Sequence, residues 1–316
     1  MGLPWPAAYN YPLYLLPVSK PIGQVSGLGV NSKGDLVAFH RADRIWDLSS
    51  FGRSNKFNSN LGPINANTIY VINKTGGVIG EYGKNIFYMP HGLSVDQEGN
   101  SWVTDVGRHQ VMKFDKDYNL LLELGEKLVP GSDNDHFCMP TDVAIASNGD
   151  FFVADGYCNA RIMKFNKSGK FVASFEHLKH TSESNFRVPH SIALIEDLNM
   201  LCVADRENNR IECFAAGLIG GPITPAGRIG KPITKAENIG PVYAIREKNH
   251  YLVGVTGSNG EDIEPQVFVV DMDNGHVNTF AKGIENAHSL AVSDDGTILI
   301  GQINPNQIIQ LSLADQ

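Results

Sequence analysis

The chain has 316 residues, with 42% hydrophobic and 19% charged side chains and a formal net charge of -8. That length can bury a substantial core as one large domain or two small ones, and the acidic balance excludes the broad basic surface that nucleic acid or an anionic membrane requires. No run of about 18 apolar residues occurs, which excludes a helical membrane span and makes a soluble chain the expectation.

The opening MGLPWPAAYNYPLYLLPVSK carries four prolines and lacks an uninterrupted apolar stretch, so it does not read as a signal peptide. Residues 1–23 are expected to form an arm. Its apolar run from Leu13 to Val18 could complete the last structural repeat as an extra strand or lie draped over the surface.

From Ser26 the sequence SGLGVNSKGDLVAFHRADRIWDL fits a pattern of a short alternating strand, a polar turn, a second strand, a polar loop and a third strand, here RIWDL, followed by a longer connection. The pattern returns as HGLSVDQEGNSWVTDVGRHQVMKF from His91, TDVAIASNGDFFVADGYCNARIMKF from Thr141 and HSIALIEDLNMLCVADRENNRIECF from His190, with starts 50 and 49 residues apart. A degenerate copy, PVYAIREKNHYLVGVTG, begins at Pro241, and HSLAVSDDGTILIGQINPNQIIQL follows from His288, 98 residues beyond His190. Six units of roughly 40 to 50 residues with strand periodicity predict an all-β, six-bladed β-propeller over residues 24–316, arranged around a central channel.

Four cysteines fit an oxidising compartment. Cys202 and Cys213 are equidistant from the turn in CVADRENNRIEC and would face each other across a hairpin, which leaves Cys138 to pair with Cys158. Two sequons, at Asn73 and Asn166, are expected glycosylation sites and point the same way, to the secretory lumen or the cell exterior. The repeated Asp105, Asp155 and Asp205 end second strands, where they are expected to accept backbone hydrogen bonds.

With blades numbered from Ser26, His91, His190 and His288 open blades two, four and six. Alternate blades of a six-fold ring are related by a three-fold rotation, so these imidazoles should meet on the axis as the ligand set of a catalytic zinc with one open position. The loops after the second strands open beside them. They bring His40 and Arg41 from blade one, Tyr157 from blade three and Arg206 from blade four.

Together these residues resemble the peptidyl-α-hydroxyglycine α-amidating lyase family, from about Gln24 to the C-terminus. The resemblance is carried by FHRADRIWD, FYMPHGLSVDQEGNSWVTDV, PGSDNDHFCMPTDVA, DGYCNARI, FRVPHSIAL and LCVADRENNRIECF, stretches that NHL-type propellers at large do not share. It implies cleavage of a peptide ending in α-hydroxyglycine to a peptide amide and glyoxylate. His91, His190 and His288 would be the zinc ligands, Tyr157 the catalytic base, and Arg41 and Arg206 the catalytic and substrate-binding arginines. Of the two, Arg206 would pair with the substrate carboxylate and Arg41 would orient the phenol or the substrate carbonyl.

The resemblance also implies both disulfides, and a structural calcium held by the backbone carbonyls of Leu28 and Leu93. The chain departs from the family around His288, where Asn286, Ala287 and Ser289 replace Met, Pro and Asp. Asn286 would make the substrate-binding wall more polar, and Ser289 removes a carboxylate that a hard cation favours. The partner that hydroxylates the glycine, a copper monooxygenase, would be a separate chain or a missing domain. Two other readings of the repeat are a non-catalytic NHL interaction module and a calcium-dependent lactonase or esterase propeller. Histidines at the aligned channel positions disfavour the latter.

Overall fold

A computed structural model describes residues 12–176, 185–218, 228–258 and 263–311. Residues 1–11 of the expected N-terminal arm lie outside the described residues. The described chain forms six four-stranded antiparallel sheets, five of them up-and-down meanders of consecutive strands. Blade two, for example, comprises Pro90–Val95, Ser101–Asp105, Gln110–Phe114 and Leu120–Leu124. The described residues form a six-bladed, all-β propeller.

The second strands explain why the blades stack. In Phe151–Asp155 of blade three, Phe151 and Val153 pack towards blade two with Trp102, Val111 and Phe165, whereas Phe152 and Ala154 pack towards blade four with Leu201, Val203 and Phe214. Both faces of the strand are buried, so it reads as a continuous apolar run rather than an alternating one. Five more clusters of this kind join the other neighbouring blades or roof one face of the ring. Fourth strands such as Leu120–Leu124 and Phe171–Phe175 have no such neighbour on their outer edge and carry only half-buried and exposed residues.

Leu13–Leu15 pairs antiparallel with Asn306–Leu311, so blade six takes its outer strand from the start of the chain and its three inner strands from the end. Packing of Val25, Leu28 and Ala38 against Ala291, Leu299 and Ile308 joins blades six and one. In blade one, RIWDL is not the third strand that the repeat pattern implied. Ile69–Ile72 takes that place, and the intervening segment crosses the upper face.

Asp105, Asp155 and Asp205 are fully buried. Asp105 accepts the backbone N–H groups of Tyr88, Met89, Gly107 and Arg108. Asp155 accepts from the Cys138 N–H and from Arg161, and Asp205 from the Arg187 N–H and from Arg210. Each carboxylate thus ties the entry of its blade to the loop after the second strand. Both expected disulfides are present, and Cys202 and Cys213 stand directly opposite one another in the strand register.

Candidate functional site

A local backbone irregularity aims the channel residues. The pairing of first and second strands shifts register between Pro189 and Ser191, between Ala287 and Ser289, and between Pro90 and Leu93. Each shift leaves a histidine outside the regular ladder, and a bulge of this kind re-aims a side chain. Gly92 permits the arrangement beside His91, because a Cβ there would lie 2.3 Å from the Thr141 carbonyl oxygen.

His91, His190 and His288 are buried, and their ligand atoms all lie within 4.8 Å of one another. Each ring reaches the backbone of the next blade. Nδ1 of His91 is 2.8 Å from the Thr141 carbonyl, Nδ1 of His190 is 2.6 Å from that of Tyr243, and Nδ1 of His288 is 3.1 Å from that of Ser26. A carbonyl only accepts, so Nδ1 carries the proton on all three rings and each Nε2 keeps its lone pair. Burial, reinforced by neighbouring positive groups, depresses the His91 pKa to about 3 and holds His190 and His288 well below the usual imidazole range. Three neutral imidazoles with oriented Nδ1–H groups form a donor set that fits a borderline-soft cation such as zinc.

Tyr157 lies over this set. Its hydroxyl is 3.0 Å from His91 Nε2 and 3.1 Å from His190 Nε2, and a single phenolic proton cannot satisfy both acceptors. The tyrosine follows Gly156, where a Cβ would meet the Pro189 carbonyl at 2.3 Å, and precedes Cys158, which is bonded to Cys138. Burial pushes the phenol pKa up, against the opposing pull of Arg206 and then Arg41.

The two arginines occupy different positions. Arg206 starts the short 3-10 turn after the second strand of blade four, with Nη1 3.5 Å from the Tyr157 hydroxyl and its guanidinium over the rings of Tyr157 and Tyr243. Glu207 anchors its other edge. Arg41 is 2% exposed; its Nε donates to the Pro90 carbonyl and Nη1 to Gln24, while Nη2 has no partner. Burial lowers its pKa to about 10. An unpaired, buried guanidinium donor beside the histidines is poised for an anionic or carbonyl group.

Other expected members do not join the centre. His40 accepts the Gly23 and Ala42 N–H groups through Nδ1 and packs on Tyr70, so it shapes the loop that carries Arg41. Asn286 is exposed, with its amide nitrogen donating to the Asn304 carbonyl. Leu28 and Leu93 are buried. The Leu93 carbonyl accepts a hydrogen bond from Arg246, and Ser289 donates to the Val25 carbonyl.

Two aromatic residues were missed by sequence reasoning. Trp46 lies 4.9 Å from Tyr157 and 6.5 Å from His91, ring to ring, with Arg41 over its face. Tyr243, from the degenerate fifth unit, lies 5.3 Å from His190 and 5.9 Å from His288. The signal for Trp46 was its place in FHRADRIWD, where the repeat pattern disguised it as strand.

Residues 87–114, 137–165 and 186–214 match the NHL repeat. Among solved structures, a gluconolactonase from Xanthomonas campestris superposes with a TM-score of 0.63 at 13% identity, covering 97% of this chain and 91% of that one. At that identity the likeness concerns the fold alone, and the class so defined is the NHL-type six-bladed propeller. A probable peptidyl-α-hydroxyglycine α-amidating lyase of Caenorhabditis elegans is 53% identical over 305 residues, which cover 93% of this chain and 84% of the relative. The chain belongs to the peptidyl-α-hydroxyglycine α-amidating lyase family and is a lyase. The peptidylglycine α-amidating monooxygenase of Rattus norvegicus is 41% identical over 329 residues, 99% of this chain but 32% of its own length, so the chain spans about a third of that longer protein.

Proposed function

We propose that this chain cleaves peptidyl-α-hydroxyglycine to a C-terminal peptide amide and glyoxylate, with His91, His190 and His288 as ligands of a zinc ion. The observation that carries this reading is the Tyr157 phenol, set against two oriented imidazoles and within reach of a guanidinium. When bound, zinc would supply a Lewis acid and a positive charge that adds to the pull of the arginines on the phenol.

The residues of the chain supply position and proton transfer. Tyr157, as phenolate, takes the proton of the substrate hydroxyl; the hydroxyl carbon becomes the aldehyde of glyoxylate, and the electron pair of its bond to nitrogen leaves with the amide, which takes up a proton. The geometry favours dividing the arginines the other way from the sequence-based expectation. Arg206, next to the phenol, favours its ionised form, and the unpaired Nη2 of Arg41 is offered to the substrate carboxylate. Asn286 would form a polar part of the rim. Trp46 would cover one side of the bound peptide end and keep water from it.

Two disulfides and the relatedness to amidating enzymes favour a secretory compartment, with glycans on Asn73 and Asn166. These two asparagines hold equivalent places in the outer hairpins of blades one and three. Hydroxylation of the glycine would be done by a copper monooxygenase, tethered or separate. The test is glyoxylate release from a synthetic α-hydroxyglycine peptide, with and without chelator. Release that stops on metal removal supports the reading, and an inert, metal-free protein would return the chain to an interaction module.

A further inference from the structure

Below the histidines the channel is blocked by a side chain that no sequence motif drew attention to. Arg246 extends from the first strand of blade five, Val242–Lys248, and lines both the narrow cleft under the imidazoles and a vestibule of about 600 Å³ at the opposite mouth. Nη1 donates to Asp142 Oδ2 at 2.8 Å, to the Ile245 carbonyl at 2.8 Å and to Ser191 Oγ at 3.1 Å, and Nη2 donates to the Leu93 carbonyl at 3.1 Å and Asp142 Oδ1 at 3.3 Å. Asp142 also accepts from Ser191 Oγ and the Ile192 N–H, and its side chain is 3% exposed.

The family resemblance places a calcium ion against the carbonyls of Leu28 and Leu93, and the donors present do not fit one. A hard cation takes six to eight oxygens and favours carboxylates. Here the Leu93 carbonyl and both Asp142 oxygens are engaged by a guanidinium, and Ser289 holds a hydroxyl where a carboxylate is expected. A second cation in contact with Arg246 would also meet like charge in a poorly solvated channel.

We propose that the Arg246 guanidinium is the structural cation of this channel, holding blades two, three, four and five together from the inside in place of calcium. It reaches Leu93 of blade two, Asp142 of blade three, Ser191 of blade four and Ile245 of its own blade, so one planar fork pins four sheets at the axis. This inference goes beyond the lyase reading and is tested without turnover, so either can fail alone.

The experiment is calcium content by mass spectrometry and thermal unfolding of the zinc-loaded full chain in calcium-free buffer without chelator and in millimolar calcium. The expected result is calcium far below one ion per chain and the same midpoint in both buffers. One bound calcium per chain, or a midpoint that falls in the calcium-free buffer, would overturn the proposal. Arg246→Met should lower the midpoint by about 5 °C or more in either buffer, because it leaves Asp142 buried and unpaired. The double variant Arg246→Ser/Ser289→Asp should bind calcium and melt higher with it; a folded double variant indifferent to calcium would show that the guanidinium does not stand in for the ion.

Discussion

Nδ1 of His190 lies 2.6 Å from the carbonyl oxygen of Tyr243 in the neighbouring blade, and the same link from His91 to Thr141 and from His288 to Ser26 repeats it around the axis. Every even blade supplies an imidazole and every odd blade the carbonyl that orients it. The three-fold centre is therefore built by six blades, although three carry the imidazoles.

Because these links fix the rings before any ion arrives, the folded chain should take up one zinc per molecule, and chelation should remove it without unfolding. His190→Ala should leave the protein folded but substoichiometric in zinc. Elemental analysis alongside circular dichroism checks both points, and full zinc occupancy in that variant would exclude His190 as a ligand.

Tyr157→Phe should lower kcat by about a hundredfold or more with zinc content unchanged. Arg206→Ala should act mainly on kcat through the phenol, and Arg41→Ala mainly on KM through the substrate anion. Steady-state kinetics on the glyoxylate assay separate these effects. The opposite split would restore Arg206 to the carboxylate.

Trp46 meets Tyr157 and the Arg41 guanidinium through the faces of its ring, so it acts as an aromatic surface. Trp46→Ala should reduce kcat/KM by about tenfold, with Trp46→Phe close to the parent enzyme. Equal loss in both variants, measured with the same peptide, would argue against a packing role.

The Cys138–Cys158 bond clamps the residue next to Tyr157. Replacing both cysteines with serine should destabilise the fold by about 2–4 kcal/mol and lower kcat more than it raises KM. Denaturant unfolding and steady-state kinetics read the two effects.

His250 bridges Asp197 in blade four and Asp273 in blade five, and hydrogen bonds to these two carboxylates raise its pKa. A raised folded-state value means that the bridge stabilises fully below the unfolded imidazole pKa of about 6.5 and is lost as pH rises through the folded value. The ring is partly exposed, so the effect is small. His250→Gln should therefore lower the unfolding midpoint slightly at mildly acidic pH and not at alkaline pH; an equal change at both would remove the charge from the account.

Much of this was legible in the chain itself. The spacing of His91, Thr141, His190 and His288 requires equivalent blades, because a repeated strand pattern buries the same positions each time, and the family likeness supplied the chemistry. The opposition of Cys202 and Cys213 followed from two-residue strand periodicity. Fourth strands such as Leu120–Leu124 were not legible, because an edge with a neighbour on one side only leaves a weak apolar signal.

Contacts between residues distant in sequence were settled by the tertiary structure alone. Trp46 reaches Tyr157 because the connection in blade one crosses the mouth rather than joining the sheet. Arg206 rather than Arg41 sits against the phenol because a tight turn after Asp205 points it inward. Arg246 meets Asp142 across 104 positions of chain only once six blades close into a ring. Local periodicity specifies which side of a strand is buried, but what lies opposite that side depends on the closure of the whole propeller.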